Sequence, residues 1–482
     1  MAIVIMGELG LGLALLSLAI WVGLLTLWGN FWRCDQRLGE GDGEARGGKG
    51  GNEGDGEGRR DGGEIQNPKS TIQNFSAPHL RSADAHGRSP LPSICAVIPA
   101  RNEADVIARA IRSLLTQTYP GPFQIVLVDD HSTDGTGEVA KKMAEELGQA
   151  SRLTIVQAEA LPAGWTGKLW AMEQGVRYTQ TLTPLPEYLL FTDADIEHDR
   201  HNLNQLVAKA MQDDLDLVSL MVLLRCASFW EKLLIPAFVF FFQKLYPFPL
   251  VNNPNSRIAG AAGGCILIRR ETLQAIGGLQ ILRQALIDDC SLAKAVKGRR
   301  QKAEGRRHEQ DREDREGRKA GGEIQHPTSN IQHFALHSQL PPPTGRIWLG
   351  LTQTTRSLRP YESLETIWNM VARTAYTQLH YSPWLLLGTL VGMVLVYLVL
   401  PVSTIAGLLT GHWLIAAVGF VGWGLMTLAY LPTIRLYRLS PLWAVCLPAI
   451  ALLYNLMTLD SALRHWRGQG GAWKGRVYPV RD

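Results

Sequence analysis

Two short acidic motifs contain the residues of this chain best suited to chemistry. Asp193-Ala194-Asp195 follows the run YLLFT, and Asp288-Asp289 opens the segment DDCSLAKAV later in the chain. Alternate positions on an extended strand point to the same side, so Asp193 and Asp195 could face one divalent cation such as Mg²⁺ or Mn²⁺. A solvated turn is the alternative for this motif. Asp288-Asp289 could accept a proton, or could simply place negative charge at a helix start.

Further polar and small residues could contact a ligand. Asp129 and Asp130 close the apolar run FQIVLV, where a carboxylate could accept a hydrogen bond from a nucleobase or ribose. Lys168, in the loop GWTGK, could neutralise a diphosphate, although the P-loop spacing is absent and loop lysines are usually only solvated. Gly263 and Gly264 precede the run CILIRR, and small residues there allow either close approach of a ligand or a tight turn.

The order of the apolar runs predicts the elements that position these residues. SICAVIPA, FQIVLVDD, LTIVQAEA and EYLLFTDAD are typical of strands, and the segments between them favour helices. This alternation predicts an α/β domain with a doubly wound, mostly parallel sheet. Ligands of such sheets bind beyond the carboxyl ends of the strands. Five candidate residues fall at those ends: Pro99, Asp129, Asp130, Asp193 and Asp195.

Four apolar runs predict an integral membrane protein. Residues 9–28 carry no charge and are long enough to span a bilayer. A signal peptide is the alternative for this run. It is disfavoured because the chain start lacks Lys or Arg and no A-x-A site follows. Three more runs lie near the C-terminus: Trp384–Val402, Trp413–Leu431 and Leu442–Met457. The six cysteines show no C-x-x-C spacing, which favours a reducing compartment over a zinc or disulfide framework.

The charge distribution predicts orientation rather than a nucleic-acid partner. A formal net charge of +4 is too small to indicate nucleic acid. Basic residues beside the apolar runs predict a cytoplasmic, lipid-facing surface. They are Arg33, Arg435, Arg438, Arg464, Arg467, Lys474 and Arg476. Three C-terminal spans would nevertheless put the basic tail outside, so either one run is re-entrant or the tail breaks the positive-inside tendency.

Two compositionally biased inserts interrupt the predicted domain. Residues 39–90 and 298–345 are too polar to form a core, and 19-residue stretches starting at Glu57 and Glu316 match at 13 positions. Linkers without a function of their own, or protein-docking segments, are the two interpretations. The predicted organisation is a transmembrane segment at 1–32, an insert at 39–90, a catalytic domain at 93–297, an insert at 298–345, the end of that domain with an interfacial helix at 346–382, transmembrane helices at 383–460 and a basic tail at 461–482.

Five motifs together resemble the family 2 glycosyltransferases of the GT-A fold. They are VIPARNE, VDDHSTDGT, TDAD, GAAGGC and IDDCSLA. Four further stretches are similar to the hopene-associated glycosyltransferases, which are membrane enzymes linked to hopanoid lipid biosynthesis. These are PAGWTGKLWA, GRIWLGLTQTTRSLRPY, MVARTAYTQL and WKGRVYP. The chain lacks the Q-x-x-R-W motif of the polymerising members, which argues against processive synthesis.

This resemblance implies a role for each matching residue. Asp193 and Asp195 would hold Mg²⁺ or Mn²⁺ on the donor diphosphate, and Asp289 would be the catalytic base, with Asp288 where the family usually has Glu. The implied donor-binding residues are Pro99, Arg101, Glu103, Asp129, Asp130, Lys168, Asp193, Gly263 and Gly264. The implied partners are a nucleotide sugar, of which a UDP-sugar is expected, and a lipid.

The expected function is a single inverting transfer of a sugar to a lipid hydroxyl, in the inner membrane of a bacterial-type cell with the catalytic domain facing the cytoplasm. The apolar segment Phe229–Leu250 is expected to be interfacial or re-entrant. A cluster of extra cations near Asp289 would favour a polyprenyl-phosphate acceptor, and Arg269 and Arg270 are the only candidates that the sequence offers. A carotenoid or other glycolipid glycosyltransferase would fit the same motifs, as would a catalytically inactive membrane scaffold that binds nucleotide sugars.

Overall fold

The computed structural model describes residues 2–39, 91–285, 287–300 and 344–468, together with 472–473 and 476–477. Most of both predicted inserts, the repeated stretches within them and most of the basic tail lie outside the described residues. The residues on either side of the second insert, Arg300 and Gly345, lie close together. A Cβ on Gly345 would lie only 2.7 Å from the Cβ of Arg300, so the two ends of this insert meet.

An eight-stranded sheet forms the centre of the domain, in the order β3-β2-β1-β4-β7-β6-β8-β5. Six strands run in one direction, and only β5 and β7 are antiparallel to their neighbours. The predicted α/β fold with a mostly parallel sheet is therefore confirmed. The strands are β1 (Ile94–Ala100), β2 (Phe123–Asp129), β3 (Leu153–Gln157), β4 (Tyr188–Thr192), β5 (Ile196–Glu197), β6 (Leu217–Leu223), β7 (Cys265–Arg269) and β8 (Ile347–Ser357).

Apolar side chains cover both faces of this sheet, as a doubly wound fold requires. Along β1, Ile94, Ala96 and Ile98 enter one core, whereas Cys95 and Val97 enter the other. The first core contains α2 (Ile107–Leu115), α3 (Thr136–Glu146) and α5 (Asn202–Gln212). The second contains α4 (Gly167–Thr179) and α6 (Phe229–Leu245) and continues into the membrane helices.

Helix α4 lies unusually close to the sheet, which places its first turn at the strand ends. A Cβ on Gly175 would be 2.4 Å from Cγ1 of Val97, so only glycine permits this approach. Three short helices follow α6 in the domain: α7 (Phe248–Asn252), α8 (Arg270–Ala275) and α9, which covers residues 288–300. Helix α9 therefore begins at the acidic pair and extends past the predicted domain boundary at 297.

Within the described residues, four helices are long and apolar enough to cross a membrane: Glu8–Leu27, Pro383–Thr410, Trp413–Leu436 and Pro441–Trp466. They correspond to the four predicted runs, of which only Trp28 lies outside its helix. The first span belongs to α1 (Ala2–Leu27). The second consists of α12 (Pro383–Met393), which continues through a π-turn into α13 (Val399–Thr410). The third is α14 (Trp413–Leu436), and the fourth contains α15 (Leu447–Trp466). Two short helices, α10 (Leu364–Ala372) and α11 (Ala375–Gln378), connect the sheet to α12.

The segment Pro441–Trp466 begins and ends beside the domain. Just before it, Thr433 near the end of α14 contacts Cys34, which precedes the stretch that pairs with β8. Near the other end, Asp460 accepts a 2.7 Å hydrogen bond from the indole of Trp368 in α10. Between these points the 3₁₀ turn before α15 contacts the middle of α14. Both ends of the segment therefore lie near the domain, and its 3₁₀ turn packs against α14.

Helix α6 also contacts the domain at both of its ends. At its start, Ser228 and Glu231 form a capping box, and the Glu231 carboxylate accepts the amide of Tyr361 at 2.8 Å. At its end, Tyr246 packs beside Gly260. The face between these ends is buried against α14 and α15. The helix therefore lies between the domain and the membrane helices, as an interfacial segment would. The face that packs on α14 and α15 is not exposed.

Candidate active site

A pocket opens at the carboxyl ends of β1 and β4, beside the starts of α4 and α9. Its floor is apolar and includes Phe191 and Leu282. Six of the predicted site residues line it: Pro99, Lys168, Asp193, Gly263, Asp288 and Asp289. The structure therefore brings the two acidic motifs together around one lysine, although about a hundred residues separate them. This is the ligand position expected for an open α/β sheet.

Lys168 lies between carboxylates from both motifs. Its Nζ is 2.8 Å from Oδ1 of Asp193 and 3.7 Å from Oδ2 of Asp288. Burial by itself lowers the pKa of Lys168, but the attraction of Asp193 and Asp288 outweighs it and raises that pKa above its ordinary value. The pocket therefore contains a permanent positive charge, which suits the predicted contact with a diphosphate.

Two backbone amides orient the carboxylate of Asp289. Gly263 donates a 2.8 Å hydrogen bond to its Oδ2, and Cys290 donates a 2.7 Å hydrogen bond to its Oδ1. Removal from water and the negative charge of Asp288 raise the pKa of Asp289 to about 7, against the opposing effects of Lys168 and the two amides. A carboxyl group with a pKa near neutrality is suited to accept a proton.

Gly263 and Gly264 have different surroundings. A Cβ on Gly263 would lie 3.3 Å from Oδ2 of Asp289 and 3.6 Å from Nζ of Lys168, so its missing side chain leaves space for this carboxylate. A Cβ on Gly264 would instead meet Cγ2 of Val222 at 3.0 Å, inside the core. Gly263 therefore belongs to the pocket, whereas Gly264 permits close packing behind it.

The backbone of the Asp193-Ala194-Asp195 motif differs from the expected extended strand. The amide of Ile196 donates to the carbonyl of Asp193 at 3.2 Å, which closes a turn. The chain therefore bends at this motif instead of continuing as an extended strand, and the assignment of both carboxylates to one cation stays a prediction. Asp193 pairs with Lys168, whereas buried Asp195 accepts a 2.7 Å hydrogen bond from the hydroxyl of Ser357.

Arg359 connects two predicted site residues, although the sequence motifs gave it no role. Its guanidinium lies 2.6 Å from Oε1 of Glu103 and 3.4 Å from Oδ2 of Asp195. Burial lowers the pKa of Arg359, but Asp195 and Glu103 outweigh that effect and raise it. Glu103 therefore positions this arginine and does not line the pocket. The only signal was that Arg359 falls in SLRPY, within a stretch that carried the resemblance.

Asp129, Asp130 and Arg101 lie beside the pocket, outside its lining. Asp129 accepts the amide of Ser132 at 2.9 Å, which closes the turn after β2. Arg101 donates to the backbone carbonyl of Asp130 at 2.6 Å, and its Nη1 is 3.6 Å from Oδ2 of that residue. These contacts hold the ends of β1 and β2 together. Contact of these three residues with a nucleoside stays a prediction.

The oxygen donors suit a divalent cation whose shell is completed by a ligand. Among the described residues, no group of three or more His, Cys, Asp or Glu side chains could hold a metal alone. Mg²⁺ typically uses one or two carboxylates together with water and substrate phosphates. The side chain of Asp193 is 34% exposed and faces the pocket, so its carboxylate fits this pattern. Asp195 would be the second carboxylate, which requires it to share its contact with Arg359.

The sheet, its strand-end carboxylates and the lysine of α4 define an α/β domain of the GT-A type. Residues 95–277 match the family model described as "Glycosyl transferase family 2". Asp288 and Asp289 lie beyond the matched residues, so their proximity to Lys168 is a finding of the structure. The hopene-associated subtype stays a prediction.

Curated relatives match limited parts of the chain. A 4,4'-diaponeurosporenoate glycosyltransferase of Staphylococcus haemolyticus is 30% identical over 24% of this chain and 28% of its own length. A beta-monoglucosyldiacylglycerol synthase of Synechocystis sp. is 32% identical over 22% of this chain and 21% of its own. The chain thus spans less than a third of either relative. A solved mannosyltransferase of Pyrobaculum calidifontis, in complex with GDP-Man and Mn²⁺, aligns with 81% of this chain and 91% of its own at 16% identity and a TM-score of 0.38.

Proposed function

We propose that this protein is a membrane-bound inverting glycosyltransferase that transfers a sugar from a nucleotide-sugar donor to a hydroxyl of a lipid. The observation that carries the proposal is the arrangement of Asp289, whose carboxylate is oriented by the Gly263 amide in a pocket that also contains the charged Lys168. A base and a cation in one pocket are the two groups that such a displacement needs.

In the proposed reaction, Asp289 accepts the proton of the acceptor hydroxyl, and the hydroxyl oxygen attacks the anomeric carbon. The bond from that carbon to the nucleoside diphosphate breaks, so the sugar is transferred with inversion. Lys168 stabilises the charge that develops on the departing diphosphate. When bound, Mg²⁺ or Mn²⁺ held by Asp193 and Asp195 would neutralise part of the same charge. Arg359 and Glu103 hold Asp195 in position.

A lipid acceptor is supported by the position of the pocket and by the relatives. Tyr246, at the end of the interfacial helix α6, is close enough to Asp289 to interact electrostatically with it. The names of two relatives refer to a glucosyldiacylglycerol and to diaponeurosporenoate, which are lipid-related. A hopanoid-related acceptor, with UDP as the nucleotide of the donor, is the finer form of this proposal, and it rests on the sequence motifs.

A polyprenyl-phosphate acceptor is less well supported than a hydroxyl-bearing lipid. Arg269 lies at the end of β7 farthest from Gly263, where its guanidinium is 2.6 Å from Asp214. Arg270 donates to the carbonyl of Pro186 at 2.9 Å. Neither cation is therefore available to bind a phosphate beside Asp289. A carotenoid or other glycolipid acceptor is compatible with the same pocket.

The proposed location is the inner membrane, with the domain on the cytoplasmic side. Because both ends of Pro441–Trp466 lie near the domain, three of the four apolar helices in the described residues would cross the membrane, and Trp466 would stay on the side of the domain. This topology places Arg33, Arg435, Arg438 and Arg464 on one side, in agreement with the positive-inside tendency. It also resolves the conflict that three C-terminal spans would create.

The direct test is to incubate membranes containing the protein with labelled nucleotide sugars and total lipid extract, and to identify products by mass. Asp289→Asn should lower transfer by at least about 100-fold while metal-dependent nucleotide binding is retained. Unchanged transfer in this variant would refute the assignment of the base. Nucleotide-sugar binding without any glycosylated lipid from the wild-type protein would support the inactive scaffold.

A further inference from the structure

Two polar side chains from membrane-contacting elements meet beside the proposed base. The amide of Gln378, in α11, donates a hydrogen bond to the hydroxyl of Tyr246, at the end of α6. The Tyr246 hydroxyl also interacts with the thiol of Cys290, the residue directly after Asp289. Both Tyr246 and Gln378 are half-buried. Neither side chain has a role in the donor site.

Small residues in the loop before β7 make room for this pair. A Cβ on Gly260 would lie 3.0 Å from the ring of Tyr246, so glycine is required for the ring to occupy its position. The next residue, Ala261, accepts a 3.4 Å hydrogen bond from the thiol of Cys290. The loop GAAGGC therefore contacts the Tyr246 ring at its first residue and the Asp289 carboxylate, through Gly263, at its fourth.

The surroundings of the pair combine polar and apolar groups. The ring of Phe242 packs on that of Tyr246 with centroids 5.1 Å apart, and it extends the aromatic surface along α6. A phenol and a carboxamide each donate and accept hydrogen bonds and carry no charge. Such a pair matches a neutral hydroxyl group attached to an apolar body, because the hydroxyl can replace the hydrogen bond between the two side chains.

We propose that Tyr246 and Gln378 form the acceptor subsite, which binds a neutral, hydroxyl-bearing lipid headgroup and positions its hydroxyl against Asp289. This inference rests on the proposed function and specifies its acceptor. Tyr246 and Gln378 are positioning residues, since the proton is still transferred to Asp289. In this arrangement the lipid headgroup contacts Tyr246 and Gln378, while the donor diphosphate contacts Lys168.

The experiment compares Tyr246→Phe and Gln378→Leu with the wild-type protein. The acceptors are the neutral-lipid fraction of a bacterial membrane extract and a polyprenyl phosphate, both in detergent micelles. Each substitution should lower kcat/KM for the neutral lipid about tenfold, as expected for loss of a hydrogen bond to substrate. The affinity for the nucleotide sugar and the rate of its hydrolysis by water should not change. Tyr381→Phe, which removes only a hydroxyl contact with Thr377, is the matched control and should behave as wild type.

The possible results separate this inference from the proposed function. Unchanged kcat/KM for the neutral lipid, or an equal loss of nucleotide-sugar affinity, would overturn the acceptor subsite while leaving the glycosyltransferase proposal intact. A wild-type protein that glycosylates polyprenyl phosphate in preference to the neutral lipid would overturn the subsite's proposed chemistry. A wild-type protein that glycosylates neither acceptor would overturn both proposals.

Discussion

The backbone amide of Gly263 donates a 2.8 Å hydrogen bond to the carboxylate of Asp289. This single contact connects the loop before β7 to the start of α9, two segments whose chemistry depends on each other. It orients the proposed base toward the pocket, and it explains why the loop needs a residue without a side chain at position 263. A change at either end of this contact should therefore affect transfer directly.

The two adjacent glycines should respond differently to substitution. In Gly263→Ala the new Cβ would press on the Asp289 carboxylate, so we expect transfer to fall about tenfold or more with little change in melting temperature. In Gly264→Ala the Cβ would press on Val222, so we expect a destabilisation of about 1–3 kcal/mol from overpacking. Transfer rates and thermal unfolding distinguish the two. Wild-type transfer in Gly263→Ala would contradict the assigned position of the base.

Transfer should depend on pH through the ionisation of Asp289. The base must be unprotonated, and the pKa of Asp289 is raised to about 7, so kcat/KM should rise as pH increases through 7 and fall below it. Asp288 contributes to this raised pKa by like-charge repulsion. In Asp288→Asn the inflection should therefore shift to lower pH. A pH profile that is the same in both proteins would show that Asp289 does not control it.

Arg359 should be needed to hold Asp195 for donor binding. Arg359→Gln leaves the nearby carboxylates of Asp195 and Glu103 without their shared cation, so we expect weaker metal-dependent nucleotide binding and a lower melting temperature. Arg356→Gln is the control, because Arg356 forms a mostly exposed ion pair with Glu197, worth less than about 1 kcal/mol. Calorimetric nucleotide titration measures the difference. Equal binding by the two variants would exclude this role of Arg359.

The second insert should be removable without loss of the active site. Because Arg300 and Gly345 lie together, residues 301–343 can be replaced by a short Gly/Ser linker without moving α9 or β8. We expect unchanged transfer and thermal stability. Gly345→Ala, in contrast, should destabilise the protein, since φ is +73° at this position and the Cβ would clash with Arg300. If the deletion abolished transfer in a protein that still folds, the insert would have a docking or catalytic role. That result would contradict the interpretation of the insert as a linker.

The tail should lie on the same side of the membrane as the domain. A cysteine introduced at Gly411, between α13 and α14, should react with an impermeant maleimide in intact cells with a permeable outer membrane. A cysteine at Gly468, after α15, should react only once the inner membrane is opened. Comparison with the parent protein corrects for the native cysteines. Reaction of the Gly468 cysteine in intact cells would mean that α15 crosses the membrane.

Local pattern was sufficient for the first four strands, the apolar helices and the acidic motifs. A buried strand ending in Asp193, or an uncharged run such as residues 9–28, has a signature within its own few residues. The parallel order of the first four strands followed from their alternation with helices, which also predicted that carboxylates would gather at one sheet edge. Each of these inferences needs only neighbours in the chain.

The partners of those residues were decided by tertiary structure. Nothing local distinguishes Arg359 from other arginines, and its contacts with Glu103 and Asp195 span over 150 residues. Contacts between distant segments also decide three further features. They are the turn at Asp193, the position of both ends of Pro441–Trp466 near the domain, and the contact of Tyr246 with Gln378. Hydrogen bonds and packing between distant segments select these arrangements, and such contacts leave no periodic signal in the sequence.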